Sequence, residues 1–334
     1  MVLYNNELGH RRYRLMVIKT QHKPRQKDYS FDLQKVFNSI VSVQSNIPGD
    51  AFTASVLGTE RGGNGIVIKD NGIVLTIGYL VTEAETIWLT DHTGAAIQGH
   101  VLGYDQESGL GLIQALGKLN AEVVPIGRSS SLKEADKVVV AGFGGQKNSV
   151  SAEVIAVREF AGYWEYLLDE AIFTSPAHPN WGGTGLIGGD GELLGVGSLF
   201  IQHETVGDEI VDGNMVVPID LLAPIIDDLL TMGRPNKKAR PWLGLFGAES
   251  EGAVVVAALT EGGPAHDAGV EVGDIVRAVA GNEIGSLADF FRNIWSIGPA
   301  GVEVPLLIER DGEVLEIYIS SVARSDMLKG PRLH

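Results

Sequence analysis

Short alternating runs of apolar and polar residues fill most of the chain between residues 63 and 225. The run "GNGIVIKDNGIVLTIG" predicts a hairpin that turns at Asn71-Gly72, and "ETIWLTDHTGAAIQGHVLGYD" predicts a second pair of strands that turns at Thr93-Gly94. The series continues with "LGLIQAL", "KVVVAGF", "SVSAEVIAVREF", "ELLGVGSLFIQ" and "GNMVVPI". Seven or more short strands joined by regular turns favour a barrel or a sandwich.

Helical spacing of apolar residues appears at three further places. Residues 29–46 show helical spacing followed by a strand-like end, and residues 219–233 predict one amphipathic helix with Gly233 as its C-cap. Ser286 is a suitable N-cap for a third helix. The apolar face of that helix repeats at i, i+3, i+4, i+7 and i+8, and it comprises Leu287, Phe290, Phe291, Ile294 and Trp295.

The segment "RPNKKAR" at 234–240 is charged, contains proline and lacks periodicity, which is typical of a linker. Strands are predicted after it at "WLGLFGA", "GAVVVAAL", "DIVRAVAG", "VPLLIERDG" and "VLEIYISS", with a short helix at "GPAHDAG". We therefore predict five segments along the chain. They are a basic, disordered leader (1–28), a β domain (29–230), a linker (231–240), a smaller α+β domain (241–323) and a C-terminal tail (324–334).

Charge and composition exclude several classes of function. The net charge is −16 over 334 residues, and an acidic surface repels phosphate backbones, so nucleic acid is not an expected partner. The first 28 residues are the exception, with seven Lys or Arg and two acids, so the remainder carries 19 − 40 = −21. We interpret this leader as a disordered tail or a misassigned start, with a weak interaction arm as the alternative.

Several further features narrow the location and the chemistry. The sequence has no apolar stretch near the ~18 residues that a membrane-spanning helix needs. The run "LMVI" at 15–18 is too short for an export signal, so the sequence alone predicts a cytoplasmic protein. The chain has no Cys, which excludes disulfides, thiol catalysis and Cys-based zinc sites. Because its eight His are scattered and its glycine-rich runs lack a dinucleotide-binding context, we predict no metal and no cofactor.

The order of motifs resembles the HtrA/DegP family, in which a trypsin-like serine protease domain precedes a PDZ domain. The resemblance rests on "GNGIVIKDNGIVLT", "HVLGYDQESGLGLIQ", "GRSSSLKEADKVVVAGF" and "GELLGVGSL", and then on "PWLGL" and "GGPAHDAGVEVGDIVRAVAGNEI". It covers roughly residues 30–323. It implies a mainly β fold, with a trypsin-like double six-stranded β-barrel followed by an α+β PDZ domain.

The same resemblance identifies the positions of a catalytic triad, and each holds an unsuitable residue. The family's His falls at Tyr79, and a phenol that titrates near ~10 is a poor general base at neutral pH. The family's Asp falls at Gly109, which has no side chain to orient a base. The nucleophile falls at Trp181 in "NWGG", and sliding the alignment offers only Gly182 or Gly183. With nucleophile, base and orienting group all replaced, the resemblance implies a pseudoprotease.

Other residues near "PAHPNWGGTG" offer an alternative catalytic set. Thr184 and Ser175 carry hydroxyls, and His178 is a candidate base. Ser175 precedes a proline and Thr184 lies between glycines, so ordinary turn chemistry explains both. A hydroxyl within hydrogen-bond reach of an imidazole, facing an open cleft, would distinguish the two interpretations.

The PDZ resemblance implies a groove that binds an extended peptide and holds its terminal carboxylate on backbone N–H groups. The residues that match this groove are Trp242, Leu243, Gly244, Leu245, Ala288, Phe291 and Ile294. The apolar members of this set would equally build the core of the module. A second hypothesis is that the chain's own end, "GPRLH", docks into a neighbouring groove.

From the sequence we predict a non-catalytic scaffold or regulator that binds peptide or protein C-termini. The alternative is a serine-type endopeptidase with a displaced nucleophile at Thr184 or Ser175. Resemblance also implies a homotrimer built with Tyr29, Phe31 and Phe37, or an assembly with an active protease, and it allows a periplasmic location. The three aromatics would equally be core residues of the barrel.

Overall fold

The computed structural model describes residues 18–204, 210–250 and 252–330. The described residues form two compact units: residues 18–158 and 170–236 with Gly330, and residues 159–169 with 237–329. Strands dominate both units, and the predicted double barrel and the α+β module are confirmed. The last four residues of the tail, including most of "GPRLH", and the first 17 residues of the leader lie outside the described residues.

The first unit contains two closed, antiparallel six-stranded barrels. The first barrel has the strand order β1-β2-β3-β6-β5-β4, and the second has the order β10-β11-β12-β9-β8-β7. The strands of the first barrel are β1 Ile40–Asn46, β2 Glu60–Lys69, β3 Ile73–Ile77, β4 Thr86–Thr90, β5 Ala96–Tyr104 and β6 Leu110–Ala115. Those of the second are β7 Lys137–Ala141, β8 Ser149–Gly162, β9 Tyr166–Ser175, β10 Gly185–Ile187, β11 Leu193–Glu204 and β12 Ile210–Pro218. Closure removes the free edges that a flat sheet would expose.

The turns of the first barrel agree with the sequence pattern. Gly72 has a φ of 82° between β2 and β3, and Gly94 has a φ of 87° between β4 and β5. The Asp91 side chain accepts hydrogen bonds from the backbone N–H groups of Thr93 and Ala95, which fixes the second turn. The apolar side chains of the strands are turned into the barrels, so the predicted hairpins at both sites are confirmed.

Three helices accompany the barrels, namely α1 Leu33–Asn38, α2 Ala54–Leu57 and α3 Ile226–Met232. The prediction of one helix over residues 219–233 is wrong in its length. Pro224 lacks an N–H group and would clash with the preceding turn, so a 3-10 turn at Ile219–Leu221 is separated from α3. Gly233 caps α3 with a φ of 73°, as expected.

Residues at the start of the described chain are more ordered than the predicted leader. Two 3-10 turns form at Thr20–His22 and Gln26–Asp28, and the Pro24 carbonyl accepts a hydrogen bond from Gln146. The aromatics offered as trimer contacts pack within this unit. Phe37 is buried, and the Tyr29 hydroxyl lies 2.7 Å from Ser151 Oγ. This packing favours the barrel-core interpretation of these residues.

The second unit is a sheet with two helices and a hairpin tip. Its strands are β13 Leu245–Ser250, β14 Ala253–Leu259, β15 Ile275–Val279, β16 Asn282–Glu283, β17 Glu303–Arg310 and β18 Glu313–Ser320. Its helices are α4 Pro264–Asp267 and α5 Leu287–Ile297, and a 3-10 turn follows at Arg324–Met327. The main path of the sheet is β13-β14-β15-β17-β18, with β16 paired to β15, so β13 forms an edge.

Helix α5 covers the sheet as its periodicity predicts. Ser286 caps it by accepting a hydrogen bond from the Asp289 N–H at 3.0 Å. Leu287, Phe290, Phe291 and Ile294 are all buried against the sheet.

The two compact units divide the chain at points that differ from the segments expected from the sequence. The linker prediction at 231–240 includes the last turn of α3, and the division between the units falls after residue 236. The predicted β domain at 29–230 also loses residues 159–169. These residues form the distal part of the β8–β9 hairpin, and they pack with the second unit.

Candidate functional sites

The loop between β9 and β10, residues 176–184, is held in place by Asn64 on β2. Asn64 Nδ2 donates to the carbonyl oxygens of Asn180 at 2.9 Å and Gly182 at 3.0 Å. Its Oδ1 accepts from the Phe143 N–H at 2.8 Å. One buried amide side chain therefore satisfies three backbone groups of two neighbouring loops.

Gly183 is required by the shape of this loop. It has a φ of 74°, a backbone conformation that residues other than glycine rarely adopt. A Cβ atom there would overlap the Asn64 carbonyl oxygen. The sharp turn is completed by hydrogen bonds from the Gly183 N–H to the Gly197 carbonyl at 2.8 Å and from the Gly197 N–H to the Thr184 carbonyl at 2.7 Å.

Tyr79, which the sequence resemblance assigns to the position of the family's His, lies in a 3-10 turn at Gly78–Leu80. Its hydroxyl donates a hydrogen bond to the Ser198 carbonyl at 2.9 Å. Its own carbonyl accepts from the buried guanidinium of Arg61 at 2.8 Å. The side-chain hydroxyl and the backbone carbonyl of Tyr79 are thus both hydrogen-bonded within the protein.

Gly109, which the resemblance assigns to the position of the family's Asp, occupies a left-handed turn with a φ of 77°. Its carbonyl accepts from the Gly78 N–H at 2.6 Å, which joins it to the turn that carries Tyr79. Trp181, which the resemblance assigns to the position of the nucleophile, is half-buried, and its ring centroid lies 5.6 Å from that of Phe200. A Cβ atom built on Gly182 would lie 2.6 Å from the Tyr79 hydroxyl, so the loop approaches this phenol closely.

These contacts join the segments that carry Tyr79, Gly109 and Trp181. The side chains that they offer are a phenol, a hydrogen atom and an indole. None of these combines a nucleophile with a base at neutral pH.

The alternative catalytic residues are turned away from one another. His178 is buried, and it accepts from the Asn180 N–H on Nδ1 at 3.1 Å, so Nε2 donates to the Asn148 carbonyl at 2.7 Å. Burial lowers the pKa of His178, which favours the neutral imidazole. The Ser175 hydroxyl donates to the Asp212 carbonyl at 2.9 Å, and the fully buried Thr184 hydroxyl donates to the Trp181 carbonyl at 2.9 Å. All three side chains satisfy backbone groups.

The second candidate site is the loop that precedes β13, residues 242–245. Trp242, Leu243 and Leu245 are buried. The helix residues predicted to line a groove, Ala288, Phe291 and Ile294, are buried as well, and Phe291 and Ile294 belong to the same core cluster as Leu243 and Leu245. These apolar side chains build the core of the module, and what the loop offers to a ligand is its backbone N–H groups.

Those N–H groups converge on Glu165, at the tip of the β8–β9 hairpin. Glu165 Oε1 accepts from the N–H groups of Leu243 at 3.1 Å, Gly244 at 3.0 Å and Leu245 at 3.3 Å. Gly244 has a φ of 72°, which helps to point successive amides at a common acceptor. The loop is therefore built to bind a carboxylate, and it holds one.

Burial raises the pKa of Glu165 to about 7, although the amide hydrogen bonds and the charge of Arg324 act in the opposite direction. Glu165 is almost completely enclosed, with 8% of its surface exposed. Desolvation thus outweighs the three amides and the nearby cation, so the carboxyl group changes its protonation near neutral pH.

The backbone at Glu165 is unfavourable for a residue of its type. Its φ is 59°, and it ends a three-residue connection between β8 and β9, where glycine is the preferred residue. A non-glycine residue in this conformation costs roughly 1 kcal/mol. Contact between the carboxylate and the loop offsets that local cost.

Other residues of the hairpin tip, defined here as Glu159–Asp169, add to this contact. The Gly247 N–H on the edge strand β13 donates to the Tyr163 carbonyl at 3.2 Å, and the ring of Tyr163 lies 6.0 Å from that of Phe246. Ala161 and Leu167 pack against the core of the module. Helix α5 contributes Arg292, which pairs with Glu159 at 2.6 Å and with Asp169.

Sequence reasoning missed Glu165 and the strand that follows it. The available signal was composition, because "FAGYWEY" holds four aromatics in seven residues of a chain that is 7% aromatic. Such a cluster on a hairpin tip indicates a surface that is buried against something. No local pattern identifies the loop at 242–245 as its partner.

Two predicted absences were also compared with the structure. Among residues 18–204, 210–250 and 252–330, no group of three or more His, Asp or Glu is placed to hold a metal ion. Within the same ranges, no helix is long and apolar enough to cross a membrane.

Two family models match parts of this chain. Residues 63–196 match the family described as trypsin-like peptidase domain, and residues 241–320 match the family described as PDZ domain. The first match covers most of both barrels, and the second covers the module that contains the loop at 242–245.

The chain is also similar to curated proteins. It is 26% identical over 281 residues to a probable periplasmic serine endoprotease DegP-like of Pseudomonas fluorescens, with 79% of this chain and 57% of that protein covered. It is 22% identical over 327 residues to serine protease Do-like HtrA of Bacillus subtilis, with 88% of this chain and 72% of that protein covered. The chain thus spans a little over half the length of the Pseudomonas relative.

Solved structures share the fold at low identity. The HtrA-type protease AlgW with decapeptide aligns with a TM-score of 0.53 at 16% identity, covering 87% of this chain and 97% of that one. The serine endoprotease from Yersinia pestis aligns with a TM-score of 0.51 at 22% identity, covering 87% and 96%. At these identities the likeness concerns the fold.

Proposed function

We propose that this chain, in which a trypsin-like peptidase domain and a PDZ domain follow one another as in HtrA/DegP-like proteins, binds peptides without cleaving them. The proposal is supported by the contacts between the segments that carry Tyr79, Gly109 and Trp181, the residues that the family resemblance assigns to the positions of a catalytic triad. A nucleophilic mechanism needs a hydroxyl or thiol activated by a base, and these residues supply neither.

The bonding of the neighbouring polar residues supports the same proposal. A displaced nucleophile would have to be Thr184 or Ser175, and each donates its proton to a backbone carbonyl. Its base would have to be His178, whose two ring nitrogens are engaged with Asn180 and Asn148. Activating any such pair requires these hydrogen bonds to break.

Binding is supported by the loop at 242–245. It holds the carboxylate of Glu165 on three consecutive N–H groups, so it has the geometry that a C-terminal carboxylate needs. The edge of β13 beside it accepts a backbone partner through the Gly247 N–H. We therefore assign the loop and the β13 edge as the peptide site, with Ala288, Phe291 and Ile294 supporting it from the helix.

A second candidate function is favoured by the relatives, which are named serine endoproteases. In this view the chain is a serine-type endopeptidase with a displaced nucleophile at Thr184 or Ser175. The names fit this alternative better than they fit a binding protein, and a direct assay is needed to separate the two.

The decisive assay is turnover of unfolded, fluorescently labelled casein by the full chain, run beside labelling with a serine-directed fluorophosphonate. We expect neither turnover nor labelling. A Thr184→Ala, Ser175→Ala double variant is the control for a displaced nucleophile. Turnover that the double variant abolishes would establish the endopeptidase, whereas turnover that it leaves unchanged indicates a contaminant.

Location and assembly are further parts of the proposal. The Pseudomonas relatives are named periplasmic, so we propose a periplasmic location, and the cytoplasmic expectation from the sequence gains no support. Fractionation of cells that express the full chain tests it. We also propose a homo-oligomer or an assembly with an active protease, which light scattering of the purified protein and co-purification with such a protease would detect.

A further inference from the structure

The peptide site described above is filled by the chain itself. Glu165 lies on the loop at 242–245, and Tyr163 lies two residues earlier and further along β13, beside Phe246 and Gly247. The tip therefore runs antiparallel to β13, with its carboxylate at the start of that strand. This is the direction of a peptide added to a sheet edge, although residues 163–165 form a turn and make one backbone hydrogen bond to β13.

We propose that the hairpin tip at Glu159–Asp169 is an internal ligand of the PDZ site, in which the Glu165 side chain takes the place of a peptide's terminal carboxylate. An external peptide with a free C-terminus must displace the tip before it binds. This inference rests on the proposed peptide-binding function and adds its regulation.

The tip contacts the same groups that an external peptide would contact, namely the amides of the loop at 242–245 and the edge of β13. The carboxylate uses the amides of the loop, the Tyr163 carbonyl uses the edge of β13, and the Tyr163 ring uses Phe246. Arg292 on α5 holds both strands of the hairpin through Glu159 and Asp169. An extended peptide would compete for the first two of these features.

The backbone conformation of Glu165 indicates that the contacts of its carboxylate, and not the geometry of the turn, explain why Glu occupies this position. Its φ of 59° favours glycine, so the turn itself does not call for Glu. A Glu165→Gly variant therefore keeps the turn and removes the carboxylate, and Glu165→Ala removes the carboxylate alone. Glu170→Gln, on the exposed part of β9, is the matched control for a change of charge.

Displacement is tested by fluorescence anisotropy with the full chain. The probe is a labelled peptide of residues 158–164, Arg-Glu-Phe-Ala-Gly-Tyr-Trp, with a free C-terminal carboxylate, and its amidated twin is the reference. We expect Glu165→Ala and Glu165→Gly to bind the free-carboxylate probe about tenfold or more tightly than the wild type. Such a gain means that the open site makes up about a tenth or less of the wild-type population.

Amide hydrogen exchange gives a readout that does not depend on the probe. We expect the amides of Leu243–Leu245 to exchange slowly in the wild type and in Glu170→Gln, and about tenfold or more faster in both Glu165 variants. Thermal unfolding of each variant checks that the module itself remains folded.

The outcomes separate this inference from the proposed function. Equal affinity of the wild type and the Glu165 variants for the probe overturns the internal ligand and leaves peptide binding intact. Unchanged exchange at Leu243–Leu245 in the variants also overturns it. Faster exchange without any binding, or equal binding of the amidated probe, overturns both the internal ligand and carboxylate recognition at this loop.

Discussion

Two loops in this protein hold polar backbone groups in different ways. The loop at 176–184 is satisfied from within its own barrel domain, by Asn64, Gly197 and the side chains of Thr184 and His178. The loop at 242–245 points three amides at one external acceptor, the Glu165 carboxylate. The first arrangement leaves a ligand nothing to replace, whereas the second has a single occupant that another carboxylate is able to replace.

This difference shows that the shape of a loop and its ability to bind a ligand are separate properties. The loop at 176–184 keeps its sharp turn through Gly183, whether or not the residues around it take part in chemistry. In the PDZ loop the binding groups are all present, and their use depends on where the hairpin tip lies. We therefore expect changes in the first loop to alter stability and changes at the second to alter affinity.

The largest effect is expected for Gly183→Ala. The new Cβ would meet the Asn64 carbonyl oxygen, and the φ of 74° would be strained, so we expect about 3 kcal/mol of lost stability. Calorimetric unfolding of the full chain measures it. Gly189→Ala is the control, because nothing lies within 4 Å of its Cβ. Equal transition temperatures for the two variants would contradict a rigid loop at 176–184.

A smaller loss is expected for Asn64→Ala. It leaves the Phe143 N–H and the carbonyls of Asn180 and Gly182 without this partner, which costs about 2 kcal/mol. The matched control is Asn46→Ala, which removes one exposed hydrogen bond to Thr86 and should cost about 0.5 kcal/mol. The same calorimetric measurement applies, and a control that loses as much stability as Asn64→Ala would refute the special role of Asn64.

The affinity of the PDZ site should depend on pH. The pKa of Glu165 is raised from 4.5 to about 7 when the tip is seated, so protonation stabilises the seated form. That advantage is complete below about pH 4.5 and is lost as the pH rises through about 7. The terminal carboxylate of a peptide titrates near ~3.5 in solution. If it stays ionised in the site, the free-carboxylate probe should bind some tens of times more tightly at about pH 8 than at about pH 5.

The charged groups around Glu165 do not reverse this expectation. Arg324 lowers the pKa of Glu165, yet burial dominates. Arg292 on α5 has a raised pKa and remains charged, and its partners are Glu159 and Asp169. The Tyr163 phenol also has a raised pKa, so it stays neutral. A flat pH profile in Glu165→Ala is the required control, and a profile as steep as that of the wild type would assign the effect to another group.

The smallest effect is expected for Trp181→Ser. This change supplies a hydroxyl at the nucleophile position, but Tyr79 and Gly109 still provide no base and no orienting group, so casein turnover should stay at background. Casein hydrolysis by the purified variant measures it, with the wild type alongside. Turnover above background would reveal a base that the loop geometry does not indicate.

Much of the fold was accessible from the sequence. Asn71-Gly72 and Thr93-Gly94 marked hairpins because their turn chemistry is local, and the spacing from Leu287 to Ile294 marked α5 because a helix buries one face. The helix at 219–233 was predicted too long because apolar periodicity outweighed the effect of Pro224.

The occupied carboxylate site was not accessible in the same way. Glu165 and Gly244 are 79 positions apart, and their contact depends on the path of a long hairpin. Glu165 is a single acidic residue between aromatics, and no sequence periodicity predicts which residues it contacts. The positions of Tyr79, Gly109 and Trp181 were found only through resemblance to a family, and the hydrogen bonds of Ser175 and His178 required coordinates.

The hairpin tip remains covalently attached when it leaves the site, so it acts as a tethered competitor. Its local concentration is fixed by the chain, in the millimolar range typical of short flexible connections, and does not fall when the protein is diluted. A soluble peptide must therefore exceed a threshold set by the tether, whatever the amount of protein present. The tip raises the apparent dissociation constant of every competing C-terminus by the same factor, so weak C-termini need a correspondingly higher concentration to occupy the site.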